Sequence, residues 1–171
     1  MQQSTRKVVR TIESNMIPTS SRVVFDWDKT LKIIGSTSSS EKKTNIFSRV
    51  TKNFLAHLKE EKGCELFIIS ARKPSQMGIE TVLIETDRLG LTDYFCSTRT
   101  VFGKREEVRK GDSHWVREGN IIICDYNKAE VFNAVVEGKE ERPAVIFDDE
   151  EVNIVNFSKI VPGSLCYHLV A

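Results

Sequence analysis

Val23-Val24-Phe25-Asp26-Trp27-Asp28-Lys29-Thr30-Leu31 is the stretch on which the reading of this chain turns. Three successive apolar residues, without polar alternation, suit a strand buried on both faces. The strand runs directly into two carboxylates two positions apart. In an extended chain that spacing puts Asp26 and Asp28 on the same side. Carboxylates so close repel unless a divalent cation or a shared proton lies between them. Magnesium prefers hard oxygen ligands and keeps several waters, so one or two carboxylates plus a substrate phosphate suit it. The plainer reading is an Asp-rich surface turn, which the wholly apolar strand before it weakens.

The same pattern recurs outward from this stretch. Leu66-Phe67-Ile68-Ile69 ends at Ser70, Ile121-Ile122-Ile123-Cys124 at Asp125, and Ala144-Val145-Ile146-Phe147 at Asp148. Residues 165–170 form an expected last strand, and Tyr94-Phe95-Cys96 a further one. Between these runs lie helical stripes at 46–62, 77–89 and 128–137, the last with Val131, Phe132, Val135 and Val136 on one face. Alternating strands and helices predict an α/β domain with a mostly parallel sheet flanked by helices. Ligands on such sheets bind beyond the carboxyl ends of the strands, where Asp26, Ser70 and Asp148 stand. The domain is expected over 21–171, after a polar N-terminal extension over 1–20.

Composition narrows the class. The chain has 171 residues, 40% hydrophobic and 29% charged, within the range of one globular domain. Its 25 basic and 24 acidic residues leave a formal charge of +1, which gives no indication of a nucleic-acid partner held by bulk charge. No apolar run is long enough to cross a membrane, and the first twenty residues lack a secretory pattern. Cys64, Cys96, Cys124 and Cys166 form no CxxC pair and are expected as buried thiols in a reducing, cytoplasmic setting. The phosphate loop GxxxxGK[ST] and the cysteine-phosphatase loop are absent, and His57, His114 and His168 lack metal-ligand spacing.

VVFDWDKTL resembles the first signature of the haloacid dehalogenase-like superfamily, an apolar strand running into DxDxT. LFIIS resembles the second, ending in Ser70. Lys128 in NKAEVFNAVV resembles the third, and AVIFDDEEVN the fourth, with Asp148 and Asp149. The four stand in the expected order over residues 22–153. The resemblance implies a Rossmann-like core and a phosphatase using magnesium. Asp26 is then the nucleophile that takes up the phosphoryl group, and Asp28 the general acid and later the base. Ser70 and Lys128 hold phosphoryl oxygens. Asp26, the backbone carbonyl of Trp27, Asp28 and Asp148 bind the metal, with Asp149 in direct or water-mediated contact. Thr30 supports the loop. Each residue also has a plainer reading: Ser70 as a strand end, Lys128 as a solvated lysine, Asp148 and Asp149 as a helix cap.

Only about fifteen loop-like residues, 31–45, separate the first signature from the next helix, room for a mobile flap but not for a cap domain. A capless site suits a bulky phosphorylated substrate, a phosphoprotein before a nucleic-acid end. A small-metabolite phosphatase and a non-catalytic binding domain are the alternatives. Arg72 and Lys73 follow Ser70 and are candidates for binding an anionic substrate. For residues 104–118 a solvated helix with Trp115 packed inward is preferred to a substrate-contacting hairpin. Trp27 is assigned either to the core or to the mouth of the site.

Overall fold

Eight strands pair into one sheet in the computed structural model, which describes residues 3–36, 44–125 and 127–171. In chain order they are β1 (Thr5–Val9), β2 (Arg22–Phe25), β5 (Glu65–Ser70), β6 (Glu106–Lys110), β7 (Ser113–Glu118), β8 (Ile121–Asp125), β9 (Ala144–Asp148) and β10 (Leu165–Leu169). β3 (Lys32–Ser36) and β4 (Thr44–Ser48) make a separate antiparallel hairpin. The spatial order is β1-β10-β9-β2-β5-β8-β7-β6, parallel from β1 through β8, with β7 and β6 antiparallel at the edge. The chain is thus an α/β protein with a mostly parallel central sheet.

Period-two alternation divides the central strands between two cores. Val23, Phe25, Leu66 and Ile68 face one side, with Leu55 of α1 (Lys52–Ala56), Ile79, Val82 and Leu83 of α2 (Gln76–Arg88) and Phe95 of α3 (Thr92–Phe95). Val24, Phe67, Ile69 and Ile146 face the other, with Val131 and Phe132 of α4 (Lys128–Val136) and Ile154 and Phe157 of α5 (Glu151–Ile160). Phe25, Phe67 and Phe147 are fully buried, each contributing roughly 1.5–3 kcal/mol by leaving water. Helices therefore cover both faces. Ser75 starts α2 by accepting from the Gly78 amide, and Asn127 starts α4 by accepting from Ala129 and Glu130.

Several expectations change. The first twenty residues are not merely an extension ahead of the domain: Thr5–Val9 pairs parallel with β10, and Ile17 is buried in the core. An edge strand held by backbone bonds needs no apolar pattern, and four of the five β1 residues are exposed. The helix expected from 46 begins only at Lys52, where Thr51 caps it by accepting from Phe54; Ile46 and Phe47 belong to β4. Tyr94 and Phe95 sit in the short α3, not in a strand. Residues 106–118 form the β6–β7 hairpin rather than a helix, although Trp115 does pack inward, 4% exposed. α5 stands where the capping reading of Asp148 and Asp149 puts a helix, but its cap position is Glu150, with no side-chain cap bond. Among the described residues no separate cap domain is present: β3–β4 follows the first signature, and α2, α3 and the β6–β7 hairpin fill the span from Ser70 to Lys128. The expected flap over 31–45 falls partly on 37–43, outside the described residues. Among the described residues no helix is long and apolar enough to cross a membrane.

Candidate active site

β9, β2 and β5 lie side by side and run the same way, so Asp148, Asp26 and Ser70 reach one edge of the sheet together. Phe25 is in register with Phe147, and the Asp26 amide donates to the Phe147 carbonyl at 2.9 Å. That bond sets the Asp26 and Asp148 side chains on adjacent strands, about 4.8 Å apart in the pairing direction.

Lys128, the first residue of α4, enters from the next crossover and bonds both acids. Its ammonium donates to Asp26 Oδ1 at 2.7 Å and to Asp148 Oδ2 at 2.8 Å, and it is only 2% exposed. Asp26 Oδ2 accepts from the Thr30 hydroxyl at 3.1 Å. Asp148 Oδ1 accepts from the Glu150 amide, and Asn153 of α5 donates to Asp148 Oδ2 at 3.2 Å. Burial pushes the Asp26 carboxyl up to about 6; Lys128 opposes the rise and the neighbouring Asp149 adds to it. Burial also raises Asp148, against the pull of Lys128. For Lys128 burial favours the neutral amine, but the charges of Asp26 and Asp148 outweigh it and hold the ammonium above its ordinary range.

Asp26, Asp148 and Asp149 each offer an oxygen within 4.8 Å of the others. Three carboxylates against one ammonium leave an excess of negative charge in a buried place. A divalent cation with a preference for hard oxygen ligands fits that donor set.

Asp28 does not join this cluster. Its carboxylate turns to Arg72, which donates from Nε to Oδ2 at 2.9 Å and from Nη2 to Oδ1 at 2.7 Å, while Lys32 donates to Oδ1 at 3.2 Å. Burial works against the ionised form, but the Arg72 bonds and charge and the Lys32 charge prevail, so Asp28 lies below the usual carboxylate range. Glu85 of α2 ties the group together, accepting from Arg72 at 2.8 Å, from Lys32 at 2.7 Å and from the Trp27 indole at 2.9 Å. Trp27 is fully buried and belongs to the core.

The Trp27 carbonyl, expected to face a metal, instead accepts the amides of Lys32 at 2.9 Å and Thr30 at 3.3 Å. Both lone-pair directions are used, because Lys29 at φ +66 turns the loop back on itself. Within this turn only the Asp28 carbonyl accepts no hydrogen bond among the described residues. Ser70 is 1% exposed at the end of β5 and makes no hydrogen bond to Asp26 or Lys128. Arg72 faces inward onto Asp28, whereas Lys73 lies exposed on the surface.

The contributions of Lys32, Glu85 and Asn153 were not read from the sequence. Asn153 lies within the quoted AVIFDDEEVN run, and its place in the first turn of α5 could have flagged it. All four cysteines are buried and unpaired, and burial pushes the Cys124 thiol up to about 12, far from a nucleophile's range. A broad cavity of about 960 Å³ opens at the opposite, amino-terminal end of the strands, lined by Arg22, Glu65, Tyr94 and Asn120 among others, away from the carboxylate cluster. Comparison with known protein families and with curated proteins returns no match to this chain.

Proposed function

We propose that this protein is a magnesium-dependent phosphohydrolase with a haloacid dehalogenase-like core, acting through Asp26 as nucleophile. The observation that carries this reading is the Asp26–Lys128–Asp148 cluster at the carboxyl edge of adjacent parallel strands. Asp26 is a buried carboxylate oriented by Thr30 and Lys128, with a register that keeps it at the strand edge. Attack by one of its oxygens on a phosphorus would form an acyl phosphate and expel the alcohol. Lys128, already bonded to Asp26 and Asp148, would offset the charge of the phosphoryl oxygens. Asp26, Asp148 and Asp149 would hold the cation, which supplies charge neutralisation between a carboxylate nucleophile and a phosphate dianion.

Asp28, held ionised by Arg72, is ready to take a proton from water in the second step. Protonating a leaving group in the first step requires Arg72 to release it. Among the described residues no cap covers the edge, which favours a bulky phosphorylated substrate, such as a phosphoprotein. A small metabolite or a nucleic-acid end is the second choice.

The test is adduct trapping with an activated aryl phosphate and magnesium. Wild type should yield an acid-stable, hydroxylamine-labile phosphoryl adduct that turns over. Asp28→Asn should accumulate it, since general acid–base assistance of about 10²–10⁴-fold is lost chiefly from its hydrolysis. Asp26→Asn should yield none. Equal adduct on Asp26→Asn and wild type would remove Asp26 as nucleophile.

A further inference from the structure

Strand β6 closes one edge of the sheet with the sequence Glu106-Glu107-Val108-Arg109-Lys110. It pairs with β7 from Lys110↔Ser113 back to Glu106↔Arg117 across the two-residue Gly111-Asp112 turn, with Gly111 at φ +60. A two-residue turn makes Lys110↔Ser113 a hydrogen-bonded pair, and alternation does the same for Val108↔Trp115 and Glu106↔Arg117. The amides and carbonyls of Glu107 and Arg109 therefore point away from the sheet. Arg105 obeys the same alternation: its outward amide donates to Gln76 Oε1 at 2.8 Å, and its carbonyl accepts from Gln76 Nε2 at 3.0 Å. Beyond the ladder itself, the backbones of Glu107 and Arg109 make no hydrogen bond among the described residues.

Charge on an exposed edge ordinarily repels a second strand. Here the order of signs is its own complement. We infer that β6 pairs antiparallel with β6 of a second copy of this chain, about a two-fold axis through Val108. In that register Glu107 of each copy faces Arg109 of the other, and Glu106 faces Lys110. The outward groups of Glu107 and Arg109 meet as two hydrogen-bonded pairs, giving four ladder bonds. The neighbouring registers that keep the ladder in phase set Glu107 against Glu107, or Arg109 against Arg109, and are repelled. β1, the other edge, carries Arg6 and Lys7 without an acid, so no such self-match exists there.

Phe102 and Val101, 91% and 78% exposed, lie in the irregular segment that leads into β6. Lys110 also meets Glu137, Glu107 also meets His114, and Arg109 stands 3.9 Å from Glu107 of its own strand. The two contacts of Glu107 use only its Oε2, and Arg109 and Lys110 keep further protons for the second copy. A five-residue ladder is a small interface, so the dimer is reversible and salt-sensitive. The two-fold axis is perpendicular to the sheet and turns the carboxyl edges in opposite directions. Association therefore leaves the Asp26 cluster of each copy open, and the dimer stands or falls apart from the proposed chemistry.

Sedimentation equilibrium from micromolar to millimolar chain tests it. Wild type should pass from monomer to dimer, and no further. Glu107→Arg and Arg109→Glu should each weaken association by about tenfold or more, because each reverses two symmetry-related pairs. The double variant Glu107→Arg/Arg109→Glu, again self-complementary, should recover it. Val108→Cys adds a check on register. A non-hydrogen-bonded pair has Cα atoms about 4.5 Å apart, within disulfide range, so oxidation should link the copies, whereas Glu107→Cys should not link. The charge variants alter exposed side chains, so they report even where Val108→Cys fails to fold. A monomer at every concentration, larger assemblies, indifference to the single reversals, or no recovery in the double variant would each overturn the inference.

Discussion

Arg72 grips Asp28 at two points, Nε to Oδ2 and Nη2 to Oδ1, while the same Nη2 reaches Glu85 of α2. Two carboxylates thus compete for one guanidinium, and Lys32 meets the same two acids. The pair of acids in DxD is thereby split. Asp26 is drawn into a buried cluster with Lys128, and Asp28 into a half-exposed cluster with Arg72. Environment, not residue type, separates their properties: burial raises Asp26, and the guanidinium lowers Asp28.

If Arg72 is what keeps Asp28 ionised, Arg72→Gln should raise the Asp28 carboxyl toward the ordinary range. Carbon-detected NMR titration of carboxyl-labelled aspartate reads this directly. Glu85→Gln should act in the opposite sense, because it frees Arg72 and Lys32 from a competing acid. No movement of the Asp28 titration in Arg72→Gln would mean that the ion pair is not formed in solution.

Lys128 is the sole cation bonded to Asp26 and Asp148 among the described residues. Lys128→Met keeps the bulk of the side chain and leaves buried carboxylates uncompensated. Removing one partner of such a group costs about 3–5 kcal/mol. Urea denaturation at neutral pH in chelator should show that loss. The deficit should narrow as the pH falls through the raised carboxyl values, since protonated acids no longer need the ammonium. It should also narrow on adding magnesium, which restores positive charge. A deficit independent of both would point to lost packing alone.

The sequence disclosed what depends on local patterning. Apolar runs ending in Asp26, Ser70 and Asp148 are strands because nothing polar interrupts them, and Lys128 follows an Asn cap that opens its helix. Glu85 was not legible, because it reaches Trp27 across 58 residues through the packing of α2 on the first core. β1 was hidden for another reason: backbone pairing to β10 leaves its side chains in water, so it carries no apolar signature. In 104–118 the abundance of charge suggested a helix. The Gly111-Asp112 pair, with glycine at the first central position, was the turn signal that outweighed it.

Burial holds the Asp26 carboxyl at about 6 in the folded protein. In the unfolded chain the same carboxyl titrates near its ordinary value of 3.8. Between those values the folded protein holds a proton that the unfolded chain has lost. The contribution of Asp26 is therefore fully present below about pH 4, is lost as the pH rises through 6, and stays lost above it. A difference of about two pKa values corresponds to on the order of 3 kcal/mol. Asp26→Asn removes this titration while keeping shape, and Lys128 retains Asp148 as a partner. In chelator, the variant should gain stability relative to wild type between pH 5 and 7.5, with little difference near pH 4. Magnesium should reverse the comparison at neutral pH: it stabilises the wild-type cluster by binding the folded state, and binds the variant more weakly for want of one carboxylate. Thermal melts at pH 4, 5.5 and 7.5, with and without the ion, resolve the two effects. A pH-independent difference would show that Asp26 titrates normally in the folded protein, and an identical magnesium response in both proteins would remove Asp26 from the metal site.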